Sequence, residues 1–149
     1  MKNKKINIIF FLIISFTFLI SKLSAEEIAV NSNEINIEDS GNLISGENGF
    51  EASSDTGLKI YGENFKYNKE KKILTANENL KIIDEDNSII IKCSKVVYFK
   101  NTEQIKIIGE ALIYLENKNE IKSSDINIDR KKGFINSDKE TTFKDNLSN

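Results

Sequence analysis

The side chains with acid–base or metal-binding chemistry in this chain are almost all carboxylates and lysines. The sequence has 23 acidic and 21 basic residues but no histidine, which excludes a Ser-His-Asp triad, a Cys-His pair and a histidine-based zinc site. Two carboxylate pairs have a spacing suited to acid–base work or calcium: Asp84 with Asp86, and Glu116 with Glu120. Solvated hairpin loops are the favoured interpretation, because the first pair lacks the glycine and the distant glutamate of a calcium loop. We therefore expect no catalytic residue, no metal and no cofactor, and not an enzyme.

The other candidate groups are more typical of core and of turns. Cys93 shares an alternating face with Ile89 and Ile91, which predicts a buried small side chain and not a reactive thiol. Two basic clusters are predicted to be solvated hairpin tips, with contact to an anionic head group as the alternative: Lys69, Lys71 and Lys72, and Arg130, Lys131 and Lys132. An aromatic set is predicted to be core: Phe65, Tyr67, Tyr98, Tyr114 and Phe134.

Residues 1–25 have the pattern of a secretory signal peptide. Lysines at positions 2, 4 and 5 precede an uncharged, mostly apolar run from Ile6 to Ile20, and Ala25 is a suitable small residue for cleavage. The run of about 15 residues is shorter than the roughly 20 that span a bilayer. We predict cleavage after Ala25, with an uncleaved membrane anchor as the alternative. Residues 26–33 are predicted to be an unpaired lead-in, and residues 146–149 a tail.

The elements that would position any site come from an internal repeat. Three blocks, 60–67, 91–98 and 121–128, each open with Ile, carry a small residue two positions later, and have apolar residues at their sixth and eighth places. Their openings lie roughly 30 residues apart, and a charged loop and a second apolar run follow each block. A partial copy precedes them at 35–50. Because one such unit cannot bury its apolar face alone, successive hairpins are predicted to stack into one core.

Apolar residues alternate with polar ones at period two throughout these blocks, which indicates β-strands. The predicted fold class is all-β: two facing antiparallel sheets of stacked hairpins, with strands of six to eight residues, in one domain over 34–145. Separate strands are predicted at Ile73–Ala76 and Leu80–Ile83. Removing residues 1–25 leaves an acidic chain, which has no electrostatic reason to bind nucleic acid.

The ordered blocks and the signal peptide together resemble the OstA/LptA-type β-jellyroll of periplasmic lipopolysaccharide-transport proteins. Its strand with a small residue before a Val-x-Tyr ending is similar to 60–67 and 91–98. Its Gly-Asn-Val-like element is similar to 46–50, 77–80 and 109–112, and the resemblance covers roughly 34–143. The resemblance implies a periplasmic module, associated with the outer membrane in some members, that shields the acyl chains of lipopolysaccharide (lipid A).

Within that family, the resemblance leaves three members open. They are an LptA-like free-standing bridge, the N-terminal periplasmic domain of LptD, to which residues 141–146 are similar, and an LptC-like protein with an uncleaved anchor. Edge-to-edge docking with other Lpt jellyroll proteins would use 35–37 and 134–143, the two ends of the roll. The competing hypothesis is a β-solenoid surface or adhesin protein that binds no lipid.

Alternation and resemblance together predict which residues line the interior, some of them facing lipid. They are Ile60, Phe65, Tyr67, Ile91, Val96, Tyr98, Ile105, Ile107, Tyr114, Ile126, Ile128 and Phe134.

Overall fold

The computed structural model describes residues 28–115 and 119–145, and the regular structure of these residues consists of β-strands and one short 3-10 helix at Asp39–Gly41. The strands are β1 (Ala29–Glu38), β2 (Leu43–Ser53), β3 (Leu58–Gly62), β4 (Asn64–Asn68), β5 (Ile73–Asp84), β6 (Ile89–Phe99), β7 (Gln104–Ile107), β8 (Glu110–Leu115), β9 (Asn119–Ser124), β10 (Asn127–Asp129), β11 (Phe134–Asn136) and β12 (Thr142–Asp145). The predicted all-β class is confirmed. The predicted signal peptide with its cleavage site at Ala25, Glu116 of the second carboxylate pair, and the tail 146–149 lie outside the described residues.

Three long strands, β2, β5 and β6, pair with different neighbours along their two halves, and β1 pairs with both halves of β2. The first half of β5, residues 73–77, pairs with β4, whereas residues 81–84 pair with β3. The halves of β2 divide between β4 and β3 in the same way, and those of β6 divide between β7 and β8. The strands therefore form two half-sheets that share four strands.

We call these half-sheets sheet I and sheet II. Sheet I runs in the order β1, β2, β4, β5, β6, β7, β10, β11, and sheet II runs in the order β1, β2, β3, β5, β6, β8, β9, β12. All these pairings are antiparallel. A β-solenoid stacks its coils in parallel, so the competing solenoid hypothesis is wrong in its fold.

The shared strands bend sharply where they pass from one sheet to the other. In β5, Glu78 and Asn79 have φ angles of 68° and 50°, and the register against β6 shifts between Asn77 and Leu80. Such a bulge bends and twists a strand. The bend folds sheet II over sheet I, and the aromatic rings of Phe50 in sheet II and Phe65 in sheet I meet with centroids 5.0 Å apart.

The small residue in each sequence block lies at this crossing. It is Gly62 in the first copy, Cys93 in the second and Ser123 in the third, and each of them ends or nearly ends the sheet II part of its copy. A Cβ atom on Gly62 would collide with the Leu80 side chain. One sequence repeat is thus one passage from sheet II to sheet I and back, and at Gly62 the crossing leaves no room for a larger side chain.

Three local predictions are wrong, the first two because of the bend. The predicted separate strands at 73–76 and 80–83 are one strand, because Asn77–Asn79 form a bulge and not a turn. Strands β2, β5 and β6 have 11, 12 and 11 residues, longer than the predicted six to eight, since each crosses both sheets. The predicted lead-in is not unpaired, because Ala29–Ser32 pair with Phe50–Ser53.

Candidate functional site: an apolar interior closed by an ion cluster

The interior between the two sheets is apolar and tightly packed. Ten of the predicted interior residues are at most 3% exposed and belong to one core cluster: Ile60, Phe65, Tyr67, Ile91, Val96, Tyr98, Ile105, Ile107, Ile126 and Ile128. Sequence reasoning left out several equally buried members of the same cluster, among them Leu58, Leu74, Ile82 and Ile113. The alternating pattern also marks these four positions.

Two predicted interior residues lie elsewhere. Phe134 is 58% exposed, because it lies on the outer face of sheet I: the next residue, Ile135, pairs with the inward-facing Ile128 and packs against the core. Tyr114 is only half-buried. Its ring lies on the outer face of sheet II, 5.7 Å from the Lys92 ammonium, since it is one position out of phase with the inward-facing Ile113.

An ion cluster joins the two sheets at the margin opposite the bend. Arg130, at the end of β10 in sheet I, donates hydrogen bonds from Nε and Nη2 to the two carboxylate oxygens of Asp84, at the end of β5 in sheet II, both at 2.8 Å. Its Nη1 donates to Glu103, and Nη2 donates to the Thr56 carbonyl at 2.6 Å. Arg130 therefore binds turns of both sheets at once.

The cluster continues through the turn between β6 and β7. Lys100 Nζ lies 2.8 Å from Glu103 Oε1 in sheet I and 2.7 Å from Asp55 Oδ1 in sheet II. The Tyr98 hydroxyl donates to Glu103 Oε2 at 2.9 Å, and the Thr56 hydroxyl donates to the same oxygen at 3.0 Å. We use "ion cluster" for Asp55, Thr56, Asp84, Tyr98, Lys100, Glu103 and Arg130 together.

The charges of the ion cluster are all paired, and all except that of the exposed Asp55 are buried. Asp84, Lys100, Glu103 and Arg130 are 1%, 2%, 5% and 7% exposed. Within the described residues no buried side-chain nitrogen or oxygen lacks a hydrogen-bond partner. Such complete pairing offsets the desolvation cost that isolated charges would have.

This pairing determines the protonation of the cluster. Burial alone raises the pKa of Asp84, but hydrogen bonds from Arg130 and Asn87 outweigh it, so the pKa lies below its ordinary value of 3.8. Burial also raises the pKa of Glu103, and hydrogen bonds from Lys100, Tyr98 and Thr56 bring it below 4.5. Burial and the hydrogen bond to Glu103 raise the pKa of Tyr98 to about 12. Burial disfavours the charged form of Lys100, but its bonds to Asp55 and Glu103 raise its pKa.

The ion cluster corrects two sequence predictions. Asp84 was predicted to lie in a solvated loop and Arg130 in a solvated hairpin tip, and both are buried. Asp84 is the last residue of β5 and Arg130 is the first residue after β10, and each binds a partner on the other sheet. The one signal in the sequence is that Arg130 is the sole arginine. Arginine suits a buried pairing because its planar fork binds a carboxylate through two parallel hydrogen bonds.

The other basic positions lie as expected. Lys69, Lys71, Lys131 and Lys132 are exposed in turns of sheet I, and Lys72 is half-buried. Cys93 is half-buried at the crossing, less deeply than its neighbours Ile89 and Ile91, and burial raises the pKa of its thiol to about 11. A thiol with that pKa is almost wholly protonated at neutral pH, so it is a poor nucleophile.

The two ends of the roll are free strand edges in the described part of the chain. At one end, β1 pairs only with β2, and its residues Ile35 and Ile37 are 50% and 61% exposed. At the other end, β11 and β12 each have one partner, and Phe134 and Phe143 are each 58% exposed. Unpaired backbone beside exposed apolar side chains is a surface on which a further strand can pair.

Comparison with known proteins supports the fold. No family model and no curated protein sequence matches this chain. Among solved structures it is similar to LptH from Pseudomonas aeruginosa, described as the LptA homologous periplasmic component of the conserved lipopolysaccharide transport device. The TM-score is 0.67 at 12% sequence identity, over 80% of this chain and 95% of that chain. The chain therefore has the LptA-like β-jellyroll fold.

Proposed function

We propose that this chain is a periplasmic lipopolysaccharide-binding transport module. Its two sheets shield the acyl chains of lipid A, and its free edges dock with related jellyroll domains for outer-membrane assembly. The proposal concerns the jellyroll itself, whether it works as a free-standing LptA-like bridge or as an LptD N-terminal-like module. The fold shared with LptH supports it.

The observation that carries the proposal is the continuous apolar interior between two sheets. Each acyl methylene left in water costs about 0.8 kcal/mol, so one long acyl chain is worth on the order of 10 kcal/mol of shielding. The core cluster includes residues of both sheets, such as Tyr67 of β4 and Ile128 of β10 in sheet I, and Ile60 of β3 in sheet II. Separated sheets would present these side chains to a bound lipid along the length of the roll.

The free edges support the docking part of the proposal. Ile35 and Ile37 at one end, and Phe134 and Phe143 at the other, are apolar and exposed beside unpaired backbone. Pairing one chain's β1 with the β11 or β12 edge of a neighbour would align successive interiors. A lipid could then pass from one roll to the next without entering water.

Native mass spectrometry of protein purified from the periplasm tests the lipid part. Co-purified lipid A, or uptake of added lipopolysaccharide, is the expected result. A protein that is empty and takes up none contradicts the proposal.

Site-specific photocrosslinking gives a sharper answer with a matched control. A photoreactive residue at Ile128, which is 3% exposed and faces the interior, should crosslink to lipopolysaccharide. The same residue at Asn127, the next position of β10 and exposed on the outer face, should not. Equal crosslinking from both positions would indicate surface adsorption and not interior binding.

A further inference from the structure

The interior has to open before it holds lipid. Core residues of both sheets, such as Ile82, Val96 and Ile113, have 0% exposure because they pack against one another. An acyl chain can reach them only if the sheets separate. At the bend, β1, β2, β5 and β6 are continuous from one sheet to the other, so the sheets cannot part there.

The opposite margin is where separation is possible, and the ion cluster lies across it. There the turn residues 54–57 and the end of β5 in sheet II meet the turns 100–103 and 130–133 in sheet I. The contact runs through side chains: Arg130 to Asp84, Lys100 to Asp55, and Glu103 to Thr56. No backbone hydrogen bond between strands has to break when these contacts are released.

The chemistry of the closure suits reversible opening. Apolar side chains of similar volume often close a protein interior as well as a buried ion pair does, so stability alone does not call for charges here. Charged groups regain their hydration when a margin opens into water, whereas apolar groups do not. A charged margin over an apolar interior is therefore held closed by ion pairs, and its charged groups are hydrated by water when it opens.

We propose that the ion cluster is the gate of the lipid cavity: sheets I and II separate at this margin to admit an acyl chain, and Arg130 holds them closed. This proposal rests on the proposed function, whose interior site it regulates. Arg130 is the central residue because it alone in the cluster binds Asp84 and Thr56 of sheet II and Glu103 of sheet I together.

A chemical lock tests the gate while leaving the ion cluster intact. In a Cys93→Ala background, Lys131→Cys and Asp86→Cys place thiols at exposed positions on the two sides of the margin. Lys131→Cys with Asn101→Cys places both thiols on sheet I and serves as the control. Each pair is joined by a short bifunctional maleimide, and uptake of purified lipopolysaccharide is followed by native mass spectrometry.

The cross-margin lock should abolish uptake, and the control lock should leave it unchanged. Equal uptake by both locked proteins overturns the gate but leaves the proposed function standing. An unlocked protein that takes up no lipopolysaccharide overturns both. Spin labels on the same two pairs give a second readout. Lipopolysaccharide should lengthen the 131-to-86 distance and leave the 131-to-101 distance unchanged, and an unchanged 131-to-86 distance in lipid-loaded protein also overturns the gate.

Weakening Arg130 should speed opening. Arg130→Lys keeps a positive charge but loses the fork that binds both oxygens of Asp84. It should raise the rate of lipopolysaccharide uptake at least tenfold, which corresponds to 1.36 kcal/mol taken from the opening barrier. Lys132→Arg, in the same turn but exposed, is the control and should leave the rate unchanged. An Arg130→Lys protein that folds and takes up lipid at the unmodified rate contradicts the role of Arg130.

Discussion

Arg130 binds both carboxylate oxygens of Asp84 at 2.8 Å, although the two residues lie on different sheets and 46 positions apart in the chain. The same cluster includes Lys100, whose backbone N–H donates to the Lys72 carbonyl, just before β5 begins. A straight strand of 12 residues would hold the two ends of β5 roughly 40 Å apart. Both ends of β5 contact the same ion cluster. This is possible only because the strand is bent and sheet II folds over sheet I.

Asp84→Asn should lower the free energy of unfolding by about 3–5 kcal/mol, because it leaves the buried Arg130 without its bidentate partner. Asp86→Asn, two positions further in the exposed part of the turn, should change it by no more than about 0.5 kcal/mol. Urea denaturation followed by circular dichroism measures both. Equal, small effects of the two substitutions would show that the pairing contributes little.

The ion cluster should make the protein sensitive to acid. In the folded protein the pKa values of Asp84 and Glu103 lie below their ordinary values of 3.8 and 4.5. The corresponding stability is fully present above those ordinary values and is lost as the pH falls through the lower, folded-state values. Urea midpoints should therefore fall steeply below about pH 4.

The variant Asp84→Asn/Glu103→Gln isolates this effect. It should be less stable at neutral pH and should lose less further stability in acid than the unmodified protein. Parallel pH profiles for the two proteins would assign the acid sensitivity to other carboxylates.

Gly62→Val should destabilise the fold by about 1–3 kcal/mol, because its side chain would collide with Leu80 where the sheets cross. Leu80→Ala removes the colliding methyl groups at its own cost of about 2–5 kcal/mol. The double variant should cost less than the sum of the two single variants, as measured by urea denaturation. Strict additivity would mean that the collision is not the source of the effect.

Ile37→Lys should weaken association between chains at least tenfold in analytical ultracentrifugation, since it adds a charge to the free edge of β1. Its stability should stay within about 0.5 kcal/mol, because Ile37 is already 61% exposed. Ile108→Lys, at an exposed apolar residue between β7 and β8, is the control. If Ile108→Lys weakens association as much as Ile37→Lys does, the free edge of β1 has no special role in association.

The Cys93 thiol should react with a disulfide reagent roughly two orders of magnitude more slowly in the folded protein than in urea at about pH 8. The reason is that burial raises its pKa to about 11. Absorbance of the released thiolate measures the rate. Comparable rates in the two states would mean that the thiol is accessible at the crossing.

The sequence by itself determined the strands and the side of each strand that is buried. Alternation at period two depends on local backbone geometry, in which successive side chains point to opposite faces. This pattern identified Ile60, Val96 and Ile107 as interior, and their burial is confirmed. It was wrong for Phe134, because Ile135, one position further along β11, is the residue that faces the interior and packs against the core.

Only the tertiary structure decided where the long strands bend and which charges lie inside. The segment Asn77–Asn79 has the composition of a turn. It is a bulge and not a turn because the chain on both sides of it pairs with the same strand, β6. Asp84, Glu103 and Arg130 each lie in a charged, polar stretch of sequence that is typical of solvated loops. Their burial results from the meeting of two margins that are far apart in sequence. A long-range electrostatic contact of this kind leaves no periodic pattern, since each partner gains its pairing energy only after the sheet has folded over.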